Sequence, residues 1–103
     1  MTNTELMSRV SSDYEADRKR LSETARPCDI YEIYVKYEIV CWLESIIEDN
    51  DEYCVEICDG LKELNEPLDF MFEAYRDCDE GTRDKVMGAV FDALQWRKDY
   101  GED

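Results

Sequence analysis

Residues 29–50, DIYEIYVKYEIVCWLESIIEDN, decide the fold class of this chain. Apolar residues alternate from Tyr31 to Leu43 as they would in a strand, but the apolar spacing also fits a helix. The stretch runs for about 20 residues without Gly or Pro, which is too long for an ordinary strand. We therefore predict a central, deeply buried helix; the alternative is a strand at residues 31–40 and an α+β fold.

Four further helices follow from the apolar spacing, at residues 4–24, 52–64, 67–77 and 83–99. Pro27 separates the first helix from the central one. Asp29 has the capping-box spacing with Glu32, so we predict that Asp29 opens the central helix. The central helix is predicted to end at Asn50–Asp51, which also provide the N-cap of the next helix. The sequence thus predicts an all-α, single-domain bundle of about five helices over residues 1–103.

Glycine, proline and threonine residues mark the remaining helix ends. Gly60 lies inside the third helix, where it costs up to about 1 kcal/mol relative to Ala, and a close contact with another helix would explain it. Pro67 suits a first helical turn. We predict that Thr82 is the N-cap of the last helix and that Gly101 ends it.

The negative charge is distributed unevenly along the chain. Residues 1–27, the predicted N-terminal helix, carry five acids and five bases and are neutral, so the acidic helical body at 28–103 carries the whole net charge of −15. Between Glu44 and Glu80 only Lys62 and Arg76 offset fourteen acids. Repulsion among like charges costs stability, and solubility requires far less charge. A basic partner is the simplest explanation for the excess.

Many of these acids recur every three or four residues, a pattern that we call the acidic row: Glu44, Glu48, Glu52, Glu56, Asp59 and Glu63. Each step of four residues rises about 6 Å along a helix, similar to the distance between neighbouring phosphates of a nucleic acid. The row can therefore present a nucleic-acid-like potential to a basic protein, although the break near Asn50 bends it. The alternative is an ordinary solvated face. We predict that a partner contacts the row together with Asp49, Asp51, Tyr53 and Glu66.

Several function classes are disfavoured by the residues present. The chain has no His, which removes the commonest general base and the commonest metal ligand. Loops starting at Asp49 and Asp77 lack the central Gly and terminal Glu of an EF-hand. The five cysteines form no CxxC motif and are expected to be buried hydrophobes or free thiols. We expect no catalytic site, no metal and no cofactor.

The composition also bounds the location and the partners of the chain. The first residues have no signal-peptide pattern, and no run approaches the roughly 20 apolar residues that span a bilayer. An acidic surface is repelled by anionic lipid and by nucleic acid, so we expect a cytoplasmic protein with no membrane contact and no direct nucleic-acid binding. Tyr31, Tyr34 and Tyr37 are expected in the core with their hydroxyls at the surface. A homodimer through this tyrosine-rich segment stays open.

In size, charge and helical content, residues 28–103 resemble the small acidic proteins of phages and mobile elements that block restriction or CRISPR effectors, some of them as DNA mimics. The resemblance implies a non-enzymatic inhibitor of a basic, nucleic-acid-binding protein or complex in the cytoplasm of a bacterial host.

Two alternative functions remain. The first is an immunity protein that neutralises a basic nuclease toxin, since Gln95–Arg97 and Gly101 loosely resemble the last-helix ending of colicin-nuclease immunity proteins. The short central tyrosine-pair helix of that family is missing here. The second is a generic acidic adaptor or regulatory subunit, in which the acids serve only solubility.

Overall fold

Five helices make up the part of the chain that the computed structural model describes, which is residues 1–24 and 26–100. They are α1 (Asn3–Thr24), α2 (Pro27–Asp49), α3 (Glu52–Lys62), α4 (Pro67–Arg76) and α5 (Arg83–Tyr100). The prediction of an all-α bundle of about five helices is confirmed. The alternative strand at 31–40 does not form, because those residues lie inside α2. The predicted stop at Gly101 lies outside the described residues.

The central helix α2 packs against α1, α3 and α4. Its buried apolar residues, spaced three or four apart, are Val35, Ile39, Leu43 and Ile46. This helical spacing, rather than the strand-like alternation, determines which side chains enter the core. The expectation for Tyr31, Tyr34 and Tyr37 is wrong, because each is more than half exposed on the outer face of α2.

The other helices complete one continuous core around α2. Their most deeply buried side chains are Leu6 and Val10 of α1, Ile57 and Leu61 of α3, Leu68 and Met71 of α4, and Val86 and Val90 of α5. The predicted close contact at Gly60 is confirmed: a Cβ there would lie 2.9 Å from Cδ1 of Leu94 in α5. The glycine allows α3 and α5 to approach each other at this point.

The start of α2 differs from the prediction. Arg26 is extended and Pro27 occupies the first helical turn, so Asp29 lies inside the helix and is not its cap. Proline is well suited to that position because it has no N–H to leave unpaired. The Asp29 carboxylate instead accepts hydrogen bonds from the Thr24 hydroxyl and from Nε of Arg26, the latter at 2.9 Å. These hydrogen bonds lower the pKa of Asp29 and tie the end of α1 to the start of α2.

The other predicted helix starts are confirmed. The Asp51 side chain accepts a hydrogen bond from the backbone N–H of Cys54, which makes it the N-cap of α3. Pro67 lies in the first turn of α4. Thr82 precedes α5, and its hydroxyl accepts a hydrogen bond from the N–H of Lys85 at 3.4 Å.

A buried lysine connects three of the helices. Lys36 of α2 is only 2% exposed, and its ammonium nitrogen lies 2.7 Å from Asp17 of α1, 2.8 Å from Glu32 of α2 and 2.9 Å from Asp69 of α4. The nitrogen also lies 5.2 Å from the centre of the Phe72 ring. Burial lowers the pKa of Lys36, but the three carboxylates together raise it above its ordinary value, so the lysine is charged at neutral pH.

The five free cysteines differ in exposure, with Cys78 intermediate between the exposed and the buried thiols. Cys54 and Cys58 face the core, as expected for small buried hydrophobes, whereas Cys28 and Cys41 are exposed. Burial raises the pKa of the Cys58 thiol to about 11 from its ordinary value of 9.0. Because a thiolate is poorly solvated in this core, the folded state keeps Cys58 protonated at a pH where the unfolded chain ionises.

Among residues 1–24 and 26–100, no helix combines the length and the apolar character needed to cross a membrane.

We predict that Lys36→Met lowers the free energy of unfolding by about 3 kcal/mol, because Glu32 and Asp69 then lose their cation and Asp17 keeps only Arg20. The matched control is Lys85→Met, which removes the same charge from an exposed position and should change stability by less than about 0.5 kcal/mol. Urea denaturation of both variants measures the difference. Equal unfolding midpoints for the two variants would contradict the prediction.

A second prediction concerns the pH dependence of stability. The contribution of protonated Cys58 is fully present below pH 9 and is lost as pH rises from 9 towards 11, because the unfolded thiol ionises first. Between pH 8 and pH 10, wild type should lose about 1 kcal/mol more stability than Cys58→Ala. Urea denaturation under reducing conditions at both pH values tests this. An identical pH dependence in the two proteins would show that the thiol does not titrate as expected.

Candidate functional site

The acidic row lies on the outer surface of α2 and α3. Glu44 and Glu48 belong to the last turns of α2, Glu52, Glu56 and Asp59 belong to α3, and Glu63 is the C-cap of α3. All six are exposed. The row forms on this side because Cys54, Ile57, Cys58 and Leu61 occupy the opposite, buried face of α3.

Asn50 divides the row between the two helices. Its backbone is left-handed, with φ 51° and ψ 30°, and its N–H donates to the carbonyl of Ile46 at 3.2 Å. Asparagine adopts this conformation more readily than most residues, which explains why α2 ends here. As predicted, a break interrupts the row, so the carboxylates form two short segments on separate helices.

All ten residues predicted to contact a partner are exposed, but they are not equivalent. Asp49 forms an ion pair with Arg83 at 2.6 Å, and Asp59 forms one with Lys62 at 3.3 Å. Asp51 is engaged as the N-cap of α3. Within the described part of the chain, the remaining six acids have no ion pair: Glu44, Glu48, Glu52, Glu56, Glu63 and Glu66.

The basic residues of α1 do not neutralise the acidic row. Arg18 pairs with Glu15 at 3.0 Å, and Arg20 pairs with Asp17 at 3.2 Å, so both act within their own helix. Pairs of this kind contribute little to stability at the surface. Their effect here is on charge placement: Arg18 and Arg20 lie beside acids of α1 and form no ion pair with the row.

Helix α1 borders the row without covering it. A shallow hollow of about 410 Å³ separates Glu44 and Glu48 from the first turns of α1. Its α1 side is mostly small and polar, with Ser8 and Ser11 among the lining residues. Met7 and Ile47 also line the hollow, so a partner that approaches the row meets uncharged polar and apolar side chains at this edge.

Tyr53 is the aromatic residue within the predicted contact set. It is 42% exposed, and its ring meets the Phe91 ring edge-on at a centroid distance of 4.8 Å. Partial burial and then the nearby charge of Asp92 raise the pKa of Tyr53, so its hydroxyl is neutral at neutral pH. Phe91 holds one edge of the ring in place, which leaves the other edge available as a fixed contact.

The sequence analysis missed the partner of Asp49. Arg83 lies 34 residues away in the first turn of α5, so no local spacing pattern could connect the two. The pair neutralises one acid of the contact set and attaches the end of α2 to the start of α5.

In the described part of the chain, no three Cys, Asp or Glu side chains converge in a way that could hold a metal ion. Comparison with protein-family models, with curated proteins and with solved structures finds no match to this chain.

We predict that Asp51→Ala lowers the free energy of unfolding by about 1 kcal/mol, because α3 loses its N-cap. Glu56→Ala removes an exposed acid without a partner and should change stability by less than about 0.5 kcal/mol. Asp51→Asn should retain most of the stability, since Asn is an equally good cap. Thermal and urea unfolding at neutral pH measure all three.

The stabilisation by Asp51 should also depend on pH. The Cys54 N–H lowers the pKa of Asp51 below its ordinary value of 3.8. The stabilisation is therefore present above that value and is lost as pH falls through the lowered pKa. A difference between wild type and Asp51→Ala that stays constant into strong acid would contradict the role of the charged cap.

Proposed function

We propose that this chain is a non-enzymatic inhibitor that binds a basic, nucleic-acid-handling effector of the CRISPR or restriction type. The acidic row would occupy a surface of Lys and Arg residues on the effector that otherwise holds nucleic acid. In this proposal the protein acts as a nucleic-acid mimic, with Tyr53 as an aromatic contact inside the acidic interface.

The observation that carries the proposal is the set of six exposed glutamates without an ion pair in the described residues. The two cations that reach the contact set, Lys62 and Arg83, pair with Asp59 and Asp49, which are outside those six. Apart from Glu52, which lies favourably in the first turn of α3, these glutamates form no ion pair that would stabilise the described fold, and their mutual repulsion is unfavourable. A basic partner would remove that repulsion on binding.

The geometry of α3 suits a surface that binds phosphate-recognising proteins. Glu52, Glu56, Asp59 and Glu63 follow one helical face, with about 6 Å of rise for each step of four. The α-helix fixes the backbone that carries these carboxylates, so only their side chains have to be ordered on binding. Opposite charges on the partner would speed the encounter and make it sensitive to salt.

The test is competition with nucleic acid on purified effectors. Guide-loaded CRISPR nucleases and restriction endonucleases are each bound to fluorescein-labelled target DNA, and fluorescence anisotropy follows the displacement of that DNA. Wild type should displace DNA from its target effector at low salt, and less effectively at high salt. A triple variant with Glu48→Lys, Glu52→Lys and Glu56→Lys should lose this activity.

The matched control reverses three exposed acids outside the row, in the variant Glu23→Lys, Glu80→Lys and Asp99→Lys. It has the same net charge as the row variant and should retain most of the displacement. Circular dichroism checks that both variants fold, since Lys at position 52 opposes the helix dipole in the first turn of α3.

Two outcomes would contradict the proposal. Equal loss in the row variant and the control would mean that total charge, and not the row, is responsible. Neutralisation of one basic nuclease toxin, with no displacement from any effector of the panel, would indicate the immunity function instead.

A further inference from the structure

We propose that the cleft between α4 and α5 is a docking site for a basic peptide segment that inserts one bulky apolar side chain between flanking Lys or Arg residues. This cleft is a second surface, and the inference goes beyond the inhibitor function proposed above. It adjoins the predicted contact set through Glu66, the N-cap of α4, and through Asp92, which lies near Tyr53.

The floor of the α4–α5 cleft is apolar and reachable from solvent. It is formed by Phe70 and Ala74 of α4 and by Ala89 and Ala93 of α5. Three alanines where larger side chains would fill the space leave an opening of about 600 Å³. This volume lies within the range of sites that bind small ligands or single side chains.

The rim of the cleft is acidic. Along α4 and at its two caps, carboxylates spaced three or four residues apart line the cleft, at Glu66, Asp69, Glu73 and Asp77. Asp69 is paired with Lys36 at 2.9 Å, and Glu73 with Arg76 at 3.0 Å. Glu66, Asp77 and the α5 residue Asp92 have no ion pair within the described chain. Arg97 is the one cation among the described lining residues.

The combination of floor and rim selects the chemistry of the occupant. A purely apolar ligand would bury the alanine floor but would remove water from the rim carboxylates without replacing it. A purely cationic ligand would satisfy the carboxylates and leave the floor exposed. An apolar side chain flanked by Lys or Arg meets both requirements, and the aliphatic parts of those residues add further apolar contact.

The experiment uses two short fluorescein-labelled peptides of equal charge. One carries a single Phe flanked on both sides by arginines, and the other carries Ser in place of Phe. Anisotropy should show that wild type binds the Phe peptide at least about tenfold more tightly than the Ser peptide, because only Phe buries the floor. Equal affinity for the two peptides would overturn the proposal.

Filling the floor tests the location. Ala93→Phe should abolish the preference for the Phe peptide, and Ala89→Phe does the same from the previous turn of α5. Ser12→Phe places the same ring on the exposed surface of α1 and should keep the preference. If both filled variants also keep it, the peptide binds elsewhere and the proposal is wrong.

Charge at the rim is tested separately. Asp92→Lys should weaken binding of both peptides, whereas Asp84→Lys, on the same helix but outside the cleft, should have a smaller effect. Equal effects of these two variants would contradict a specific role for the rim.

The same peptides distinguish this cleft from the acidic row. The row variant with Glu48→Lys, Glu52→Lys and Glu56→Lys should still prefer the Phe peptide over the Ser peptide, even if it no longer displaces DNA from an effector. Loss of the preference in that variant would place the peptide on the row and overturn the cleft. Failure to displace DNA, with the preference intact, would count against the inhibitor function alone.

Discussion

The ion cluster around Lys36 organises the packing of this protein. One ammonium group with 2% exposure is surrounded by carboxylates from α1, α2 and α4. A cation in the core is costly unless it is fully paired, so these helices must meet in one arrangement. Apolar packing alone tolerates small sliding movements between helices, whereas three short contacts to one atom do not. The cluster therefore sets how α1 and α4 lie on α2.

The same cluster explains part of the charge distribution. Three partly exposed acids surround one buried cation there, so the ammonium group of Lys36 is more than neutralised. Much of the remaining basic charge is held in pairs: Arg18 and Arg20 within α1, Arg76 within α4 and Arg83 against Asp49. The result is a molecule that uses its cations for internal connections and leaves carboxylates exposed. Its two candidate binding surfaces, the acidic row and the α4–α5 cleft, differ in shape: the row follows the outside of α2 and α3, whereas the cleft lies between two helices.

Local signals in the sequence predicted most of the helices. Asp51, Pro67 and Thr82 lie at or beside helix starts, where their effects depend only on the next few residues. The same signals failed at Asp29, where two local options competed: a capping box with Glu32 and a proline start two residues earlier. The helix begins at Pro27, and the Asp29 carboxylate accepts hydrogen bonds from Thr24 and Arg26 instead of capping the helix.

The sequence predicted which residues of the candidate site are exposed, but not which of them form ion pairs. Exposure of the ten contact residues follows from helical spacing, because each lies away from the apolar stripe of its helix or in a connection between helices. The spacing along the helix does not predict which of these acids lack an ion pair. Asp49 and Glu48 are neighbours in sequence, yet only Asp49 meets a cation, from a helix that begins 34 residues later.

The tyrosines of α2 illustrate the same limit. From the sequence alone, Tyr31, Tyr34 and Tyr37 were predicted to lie in the core. The neighbouring helices are too few to surround α2 completely, so these tyrosines are exposed. Helix periodicity predicts which residues share a face of the helix, but it does not predict which face is packed against other helices.

The sequence by itself determined the helical class, the breaks between helices and the negative charge of residues 28–103, because these depend on residue type and on neighbours along the chain. Only the tertiary structure decided that Lys36 is buried among three acids, that Gly60 faces Leu94, that six glutamates remain unpaired among the described residues, and that alanines open a cleft between α4 and α5. These features join residues distant in sequence. They depend on how helices pack, and no local pattern encodes the identity of a residue on the opposite helix.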